Sequence, residues 1–376
     1  MSTLIAAVGS RSDLKSFILF PHRLYRGNPY WVPPLFSDER DTLSPGRNPA
    51  FDEAEARLFL AKRNGTIVGR VAAIISRAAN RKYDTRNLRF GWFDAVQSRE
   101  VAKALFDAAA AWGRERGMVT MTGPHGFTDL DPEGMLIEGF HERATISTIY
   151  NHPYYPVLME ACGFEKEVDF IEFQGSVPDG GLPERMVRLA EWSAKRNNWR
   201  LVKYPSIKKL RRDYGQKLFD LLDESYEELY GTVPLTQKQK VYYIGKYLPF
   251  ARPEMIKIVC SPDGEMIGFM IALPSLAGAF QKARGRLFPL GFLHILRDLR
   301  KFDSIDFMLT GVRKQCRGKG IDLLMVIDMF RTAVSRGVRV AESNPELESN
   351  TRIQNEWNIV PSRRHKRRRI YRKSIA

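Results

Sequence analysis

Between Val312 and Ile321 the chain reads Arg-Lys-Gln-Cys-Arg-Gly-Lys-Gly, so four cations and two glycines lie between a β-type run and an apolar helical run. Where a strand ends just before a helix begins, the first peptide N–H groups of the helix lack partners, and the helix dipole adds positive charge at the same place. Gly318 and Gly320 carry no side chain to hold an anion away from those groups, and Arg313, Lys314, Arg317 and Lys319 surround them with formal charge. Such a loop suits a diphosphate better than a single carboxylate. Basic, glycine-containing turns before helices are also common solvated connections, so the loop gains meaning from the elements that hold it.

The patterning places residues 306–312 in a strand, 321–335 in a strongly apolar helix and 338–342 in the next strand. A helix (184–196), a strand (200–204), a helix (207–229) and a hairpin (255–260 and 266–273, turned by Pro262-Asp263-Gly264) precede them. The first half repeats the order. A helix from Asp13 runs into a Pro/aromatic turn ending at Pro34, and a hairpin (57–62 and 66–75) follows around Asn64-Gly65. That dipeptide tolerates the positive φ angles of a two-residue hairpin turn. Then come a strand (90–96), an Ala-rich helix capped by Ser98, a strand (118–122), a helix (154–161) and a strand (169–174). Each half thus gives helix, hairpin, strand, helix, strand, helix, strand, the expected result of duplicating one α/β unit. The Gly-, Pro- and Asp-rich stretch 175–183 is the expected linker between domains 1–177 and 178–376.

The 376 residues suffice for two ordinary domains, and 44% hydrophobic with 27% charged residues is globular composition. An excess of 59 Lys+Arg over 43 Asp+Glu, formally +16, favours polyanionic partners: nucleic acid, an anionic membrane surface, a phosphate-rich cofactor or an acidic carrier protein. The N-terminus does not read as a signal peptide, and no apolar run reaches spanning length. Cys162, Cys260 and Cys316 have no metal-ligand spacing, so neither a metal nor a disulfide framework is expected. These features predict a cytoplasmic protein that can attach to the inner face of a membrane. Residues 276–301 mix Phe280, Phe288, Leu290, Phe292, Leu293 and Leu296 with Arg286, Arg297, Arg300 and Lys301, a pattern suited to a membrane interface or acyl channel, or to a helix docked on its own core. The basic tail 363–373 raises nucleic acid as a partner, but no aromatic platform or recognition helix accompanies it, and that partner is disfavoured.

Gln315-Cys316-Arg317-Gly318-Lys319-Gly320 fits Q/R-x-x-G-x-G/A, and in that strand-loop-helix setting it resembles the pyrophosphate loop of the GNAT N-acyltransferase superfamily. Glu342-Ser343-Asn344 at the next strand's end, Asn350 opening a helix and a closing strand at 368–372 resemble the rest of that superfamily's cofactor-binding half. In the first half, residues 154–166 resemble its last helix and the turn into its closing strand. The resemblance implies two tandem GNAT-like domains of α/β (α+β) class, each a mixed central sheet flanked by helices. It also implies acyl-CoA as the substrate-cofactor, held by Val312, Arg313, Gln315, Arg317, Gly318, Lys319, Gly320 and Asn350. Where the first half would carry the same loop, residues 95–103 contain no glycine, so that domain is expected to keep the fold without the cofactor site. The whole chain, including residues 20–25 and 28–34, is similar to bacterial tandem GNAT-like proteins, among them ceramide synthases that N-acylate long-chain amino alcohols.

That likeness implies an N-acyltransferase drawing on acyl-CoA or acyl carrier protein and acting on an amine, a lipid amine by the ceramide comparison. The alternatives are an acetyl-CoA-dependent N-acetyltransferase of a small molecule or protein, and a nucleic-acid or membrane-binding module with a relic cofactor site. In the superfamily a base, often a Glu, takes the acceptor's proton, and a Tyr in the helix after the fifth strand protonates the leaving thiolate. The matching position, seven residues after Asn350, is Trp357, which cannot donate in that way. Glu342 is a candidate base, with a salt-bridging role as the alternative. Tyr230, in a helix end and turn where the superfamily builds acceptor sites, and His294 are further candidates, each with ordinary packing as the alternative.

Overall fold

The computed structural model describes residues 2–178 and 181–376; Met1, and Asp179 and Gly180 of the expected linker, lie outside the described residues. The first half contains β1 (Leu4–Ala7), α1 (Arg11–Leu24), α2 (Phe36–Thr42), β2 (Ala54–Arg63), β3 (Thr66–Ser76), α3 (Arg77–Tyr83), β4 (Asn87–Ala95), α4 (Arg99–Arg114), β5 (Thr120–Gly123), β6 (Met135–Glu138), α5 (Tyr154–Ala161) and β7 (Glu165–Ser176). The second contains α6 (Glu184–Arg196), β8 (Arg200–Val202), α7 (Ile207–Tyr226), α8 (Gln237–Tyr247), β9 (Ile256–Cys260), β10 (Met266–Pro274), α9 (Ala277–Ala283), α10 (Gly291–Arg300), β11 (Ser304–Val312), α11 (Ile321–Ser335), β12 (Val340–Glu342), β13 (Glu346–Leu347), α12 (Thr351–Glu356) and β14 (Ser362–Ser374).

These elements gather into two compact units. One holds the chain through Ile171 together with Ala277–His294 and His365–Ala376; the other holds Glu172–Leu276 and Ile295–Arg364. Two segments from the second half, 277–294 and 365–376, thus belong with the first unit, and each placement has a physical cause. The closing strand β14 pairs antiparallel with β5 (Tyr371 opposite Gly123) and with β6 (Arg369 opposite Met135). Residues 277–294 are tied to the Pro/aromatic turn: Gln281 Nε2 donates to the carbonyls of Pro29 (2.8 Å) and Trp31 (3.0 Å), and Phe36 N donates to Gly285 O (2.9 Å).

In the first unit the strands run β1-β2-β3-β4-β5-β14. Asn64 (φ 47°) and Gly65 (φ 75°) turn the β2–β3 hairpin so that Arg63 faces Thr66. Successive residues of these strands alternate between faces. Ala61, Val71, Ala73 and Ile75 pack under Val101, Leu105 and Phe106 of α4, while Leu60, Ala72 and Ile74 pack under Phe17 and Ile18 of α1. Sidedness explains why the strands read as near-continuous apolar runs: both faces are covered.

In the second unit the order is β7-β12-β11-β10-β9-β8, antiparallel except for β12 beside β11. Two glycines let helices close on opposite faces. A Cβ on Gly268 would lie 2.5 Å from Ile321 at the start of α11, and one on Gly311 would lie 2.8 Å from Ser225 of α7 and 2.5 Å from the Phe269 ring. Among the described residues no helix is long and apolar enough to cross a membrane.

The basic tail is largely spent inside the first unit. Arg368 is fully buried and donates to the Ile149 and Gly134 carbonyls, while Arg367 (2.8 Å) and Arg369 (2.7 Å) converge on the buried Asp169. Burial alone would raise the Asp169 carboxyl, but the hydrogen bond and charge of Arg369, with Lys166 and Arg367, outweigh it and hold it below its ordinary value. A carboxyl lowered on folding contributes stability above its unfolded pKa and loses it as pH falls through the folded value. Replacing Asp169 by Ala leaves the two arginines without their shared acceptor. Urea unfolding at pH 7 is expected to show a loss of about 3 kcal/mol, shrinking below pH 4, and a loss under about 0.5 kcal/mol would contradict this account.

Candidate functional site

Strands β11 and β12 are parallel partners only from Ser304–Val340 to Asp306–Glu342. Beyond Asp306, β11 continues to Val312 against β10 alone, and a β-bulge interrupts even that ladder: Leu309 faces Ile271 while Phe307 faces Ala272, leaving Met308 as the extra residue. Asn344 reaches across the parting to the Met308 carbonyl (Nδ2 to O, 3.2 Å). One edge of β11 is thereby left for a ligand just before the basic loop, because strand peptide groups without a neighbour seek a hydrogen-bond partner.

The loop makes a tight turn through Lys314–Cys316, and α11 then begins on Gly320, held left-handed at φ 90°. Gly320 at the N-cap has no side chain to cap α11; in the first turn Leu323 N is taken by Asp322 Oδ1 (3.0 Å) and Leu324 N by Gly320 O (3.0 Å), while no side chain takes Ile321 N or Asp322 N. Gly318 has φ 75°, and a Cβ there would meet nothing within 4 Å, so the space beside these amides is open. A diphosphate fits this arrangement: free N–H groups, a helix start and no blocking side chain. The loop's cations divide in a way the sequence does not disclose. Arg317 turns back to donate to the carbonyls of Val312 (3.3 Å) and Ser225 (3.0 Å), Arg313 donates to Met266 O (3.3 Å) and faces Glu224 (3.6 Å), and Lys314 pairs with Glu228 (2.6 Å). These three fasten the loop to the C-terminal end of α7. Gln315 and Lys319 remain exposed, and Ser193 Oγ anchors the loop at the Lys319 carbonyl (2.7 Å). Asp322, the acid of the first turn, is paired with Arg352 (2.8 Å), which offsets its repulsion of an anion. Asn350 caps α12, its Oδ1 accepting from Ile353 N.

The first unit begins the same way and then closes. β4 and β5 are parallel over Asn87–Thr120 to Arg89–Thr122, after which the chain folds back so that His125 N donates to Phe90 O (2.7 Å). At the end of β4 the backbone is consumed: Ala95 N donates to Tyr155 Oη (3.1 Å) and Ala95 O accepts from Tyr154 Oη (2.8 Å). Beneath them Asp94 binds Tyr25 Oη (2.7 Å) and Arg70 Nε (2.8 Å). Burial, then the Asp94 charge, pushes both Tyr25 and Tyr155 well above the usual phenol range, so they stay as neutral donors. Ser98 Oγ caps α4 by accepting from Val101 N (3.4 Å). The difference between the units thus lies at the strand end, where tyrosine hydroxyls take both backbone groups of Ala95.

The sequence-predicted proton-transfer residues fall in different places. Glu342 ends β12, half-buried, with a carboxylate oxygen within 4.8 Å of one on the buried Glu172 of β7. Tyr230 lies two residues beyond Glu228, the partner of Lys314, and so near the loop's attachment to α7. His294 sits on α10 at the end of the segment grouped with the first unit, while Glu342 and Tyr230 belong to the second. Sequence reasoning passed over two carboxyl sites. Glu133 in the first unit lies 3.1 Å from His125, where burial raises the acid to about 8 and, with Arg89, drives the imidazole well below its usual range. Glu346 in the second accepts from Trp357 Nε1 at 2.8 Å. Only the oddity of a Trp at position 357 pointed toward it.

No protein-family model matches the chain. Two curated relatives cover nearly all of it: "Protein YghO" of Escherichia coli (strain K12), 28% identical over 99% of this chain and 95% of that one, and "Bacterial ceramide synthase" of Caulobacter vibrioides (strain NA1000 / CB15N), 28% identical over 99% and 97%. A solved tandem GNAT protein from the clavulanic acid biosynthesis pathway superposes over 100% of this chain and 99% of its own, with a TM-score of 0.59 at 11% identity. The chain has the tandem GNAT fold. A second GNAT structure, the GCN5-related N-acetyltransferase from Sphaerobacter thermophilus, covers 99% of this chain and 96% of its own at a TM-score of 0.51 and 14% identity. Within this GNAT fold, the parting of β11 and β12 and the uncapped start of α11 are adjacent features of one unit.

Replacing Gly318 by Val puts a branched side chain into the open space and strains a backbone at φ 75°. Calorimetry is expected to show CoA affinity falling at least about 100-fold, the equivalent of roughly 2.7 kcal/mol, with the circular dichroism spectrum unchanged. Unaltered affinity in the Gly318→Val protein would remove the loop from the cofactor site.

Proposed function

We propose that this protein is an N-acyltransferase that moves an acyl group from a CoA or acyl-carrier-protein thioester to an amine, with a long-chain lipid amine as acceptor. The observation that carries this reading is the uncapped helix start of α11 directly after a strand whose outer edge is free, an arrangement able to hold a diphosphate and an extended thioester arm in line. In this reading the β11 edge near Val312 polarises the thioester carbonyl through backbone N–H groups, a role that needs no particular side chain. The loop residues 315–320 hold the pyrophosphate. The relative named as a ceramide synthase supports a lipid acceptor.

A surface feature supports the same acceptor class. Phe288 (75% exposed), Leu290 and Leu293 stand out from the surface within six residues, following the exposed cations Lys282, Arg284 and Arg286. Exposed apolar side chains bordered by cations match the interface of an anionic bilayer, where the apolar groups enter the acyl region and the cations meet headgroups. An enzyme that collects its substrates there is a peripheral membrane protein.

The test is thiol release across a panel of acyl donors and amine acceptors that includes long-chain bases. Each buried methylene is worth about 0.8 kcal/mol, so activity is expected to rise steeply from acetyl to long-chain thioesters, about 100-fold for four methylenes if fully buried. Exchanging Phe288 and Phe292 for Asp is expected to weaken salt-sensitive binding to anionic vesicles and to damage long-chain use more than short-chain use. A flat chain-length profile with a soluble amine as best acceptor would contradict the lipid assignment and leave an acetyltransferase.

A further inference from the structure

The parting of β11 and β12 contains a carboxylate that the loop and strand edge do not explain. Glu346 opens β13, its Oε1 accepting from Trp357 Nε1 at 2.8 Å, while Oε2 is buried and has no partner. Trp357 is fixed on three sides. Its ring stacks on Phe173 of β7 (5.9 Å, 5°), meets the Phe307 ring of β11 edge-on (5.8 Å, 89°) and lies over Gly175, where a Cβ would approach it to 3.1 Å. Phe307 is the first residue of β11 beyond its last pairing with β12. The indole therefore stands beside the parting and holds one oxygen of Glu346, leaving the other enclosed and without a hydrogen-bond partner.

Burial pushes the Glu346 carboxyl up to about 7, against the opposing effect of the Trp357 hydrogen bond, which favours the anion. Among charged groups of the adjoining elements, Glu356 is the one that feels the Glu346 charge. On α12 Glu356 is itself raised to about 8, by burial and then by Asp322 of α11, with Arg352 opposing. On β12 and β7 stand Glu342 and Glu172, and Arg364 at the start of β14 lies over the Phe173 ring at 5.8 Å.

We propose that Glu346 is the general base of acyl transfer, taking the acceptor's proton on its unpartnered oxygen, and that Trp357 is the residue that positions it. The proposal rests on the acyltransferase reading above. An alkyl ammonium has no lone pair and keeps its proton at neutral pH, whereas a base that titrates near the working pH removes it efficiently. In the step, one N–H bond breaks and its proton passes to Glu346 Oε2. The freed lone pair forms the C–N bond to the acyl carbon, and the C–S bond breaks. The thiolate takes up the second proton released by the nitrogen, and Glu346 returns the first to solvent.

The experiment uses the full chain and reads both catalysis and titration. Glu346→Gln, which preserves shape, is expected to lower kcat about 100-fold or more at pH 7 with CoA affinity intact. It is also expected to abolish the rise of kcat with pH through about 7. In the free protein, 13C NMR of glutamate carboxyls is expected to lose the resonance that titrates in the same range. Trp357→Phe keeps both ring contacts and removes only the N–H, so the titration and the kinetic limb should both move to higher pH; a merely structural indole would move neither. Retention of the limb with at least about a tenth of kcat in Glu346→Gln, or an unmoved titration in Trp357→Phe, would overturn the assignment while the acyltransferase reading stands. A parent protein that releases no thiol from any donor would overturn that reading and the assignment with it.

Discussion

Two parallel strands that stay paired for three residues and then separate leave peptide groups that something else must satisfy. In the second unit much of the local structure follows from that constraint. The bulge at Met308, the reach of Asn344 to its carbonyl, the wedged Trp357 and the cationic loop fastened to α7 all hold the separation open without filling it. Three of the loop's four cations serve this mechanical purpose, so the charge left for a phosphate comes mainly from backbone amides, the helix start and Lys319. Amides cost no reorganisation when the anion arrives, which makes such a cradle effective in a partly desolvated setting.

The first unit shows the other solution to the same problem. Its β4 and β5 also separate after three paired residues, but the backbone beyond them is bonded internally and Asp94 gathers Arg70 and Tyr25 beneath the strand end. A buried polar network that is satisfied is rigid and costly to disturb. A ligand entering there would have to displace these bonds rather than complete missing ones. At the end of β4, tyrosine side chains occupy both backbone groups of Ala95, and residues 95–103 carry no glycine.

Local features were legible in the sequence because local rules govern them. Asn64-Gly65 and Asp263-Gly264 made their turns, Ser98 capped its helix, and 315–320 fell between the expected strand and helix. Contacts between distant residues were not legible. The pairing of β14 with β5 joins residues about 250 apart, and Gln281 finds its acceptors at Pro29 and Trp31 from a similar distance, so no periodicity could announce either. The basic tail was legible as part of a closing strand, but the acceptor of Arg367 and Arg369 was not, because Asp169 lies some 200 residues upstream. Glu346 was passed over for the same reason: a buried carboxylate oxygen without a partner is defined by what Trp357, Phe173 and Phe307 do around it.

Amide hydrogen exchange with and without acyl-CoA tests the central claim most directly, since the claim concerns which backbone N–H groups are free to bind. The expected result is strong protection on ligand addition at residues 318–322 and along the end of β11, with no change at 95–103, where Ala95, Val96, Ser98, Val101 and Ala102 amides already have partners. Protection of 95–103 equal to that of 318–322, or none at the start of α11, would contradict the account.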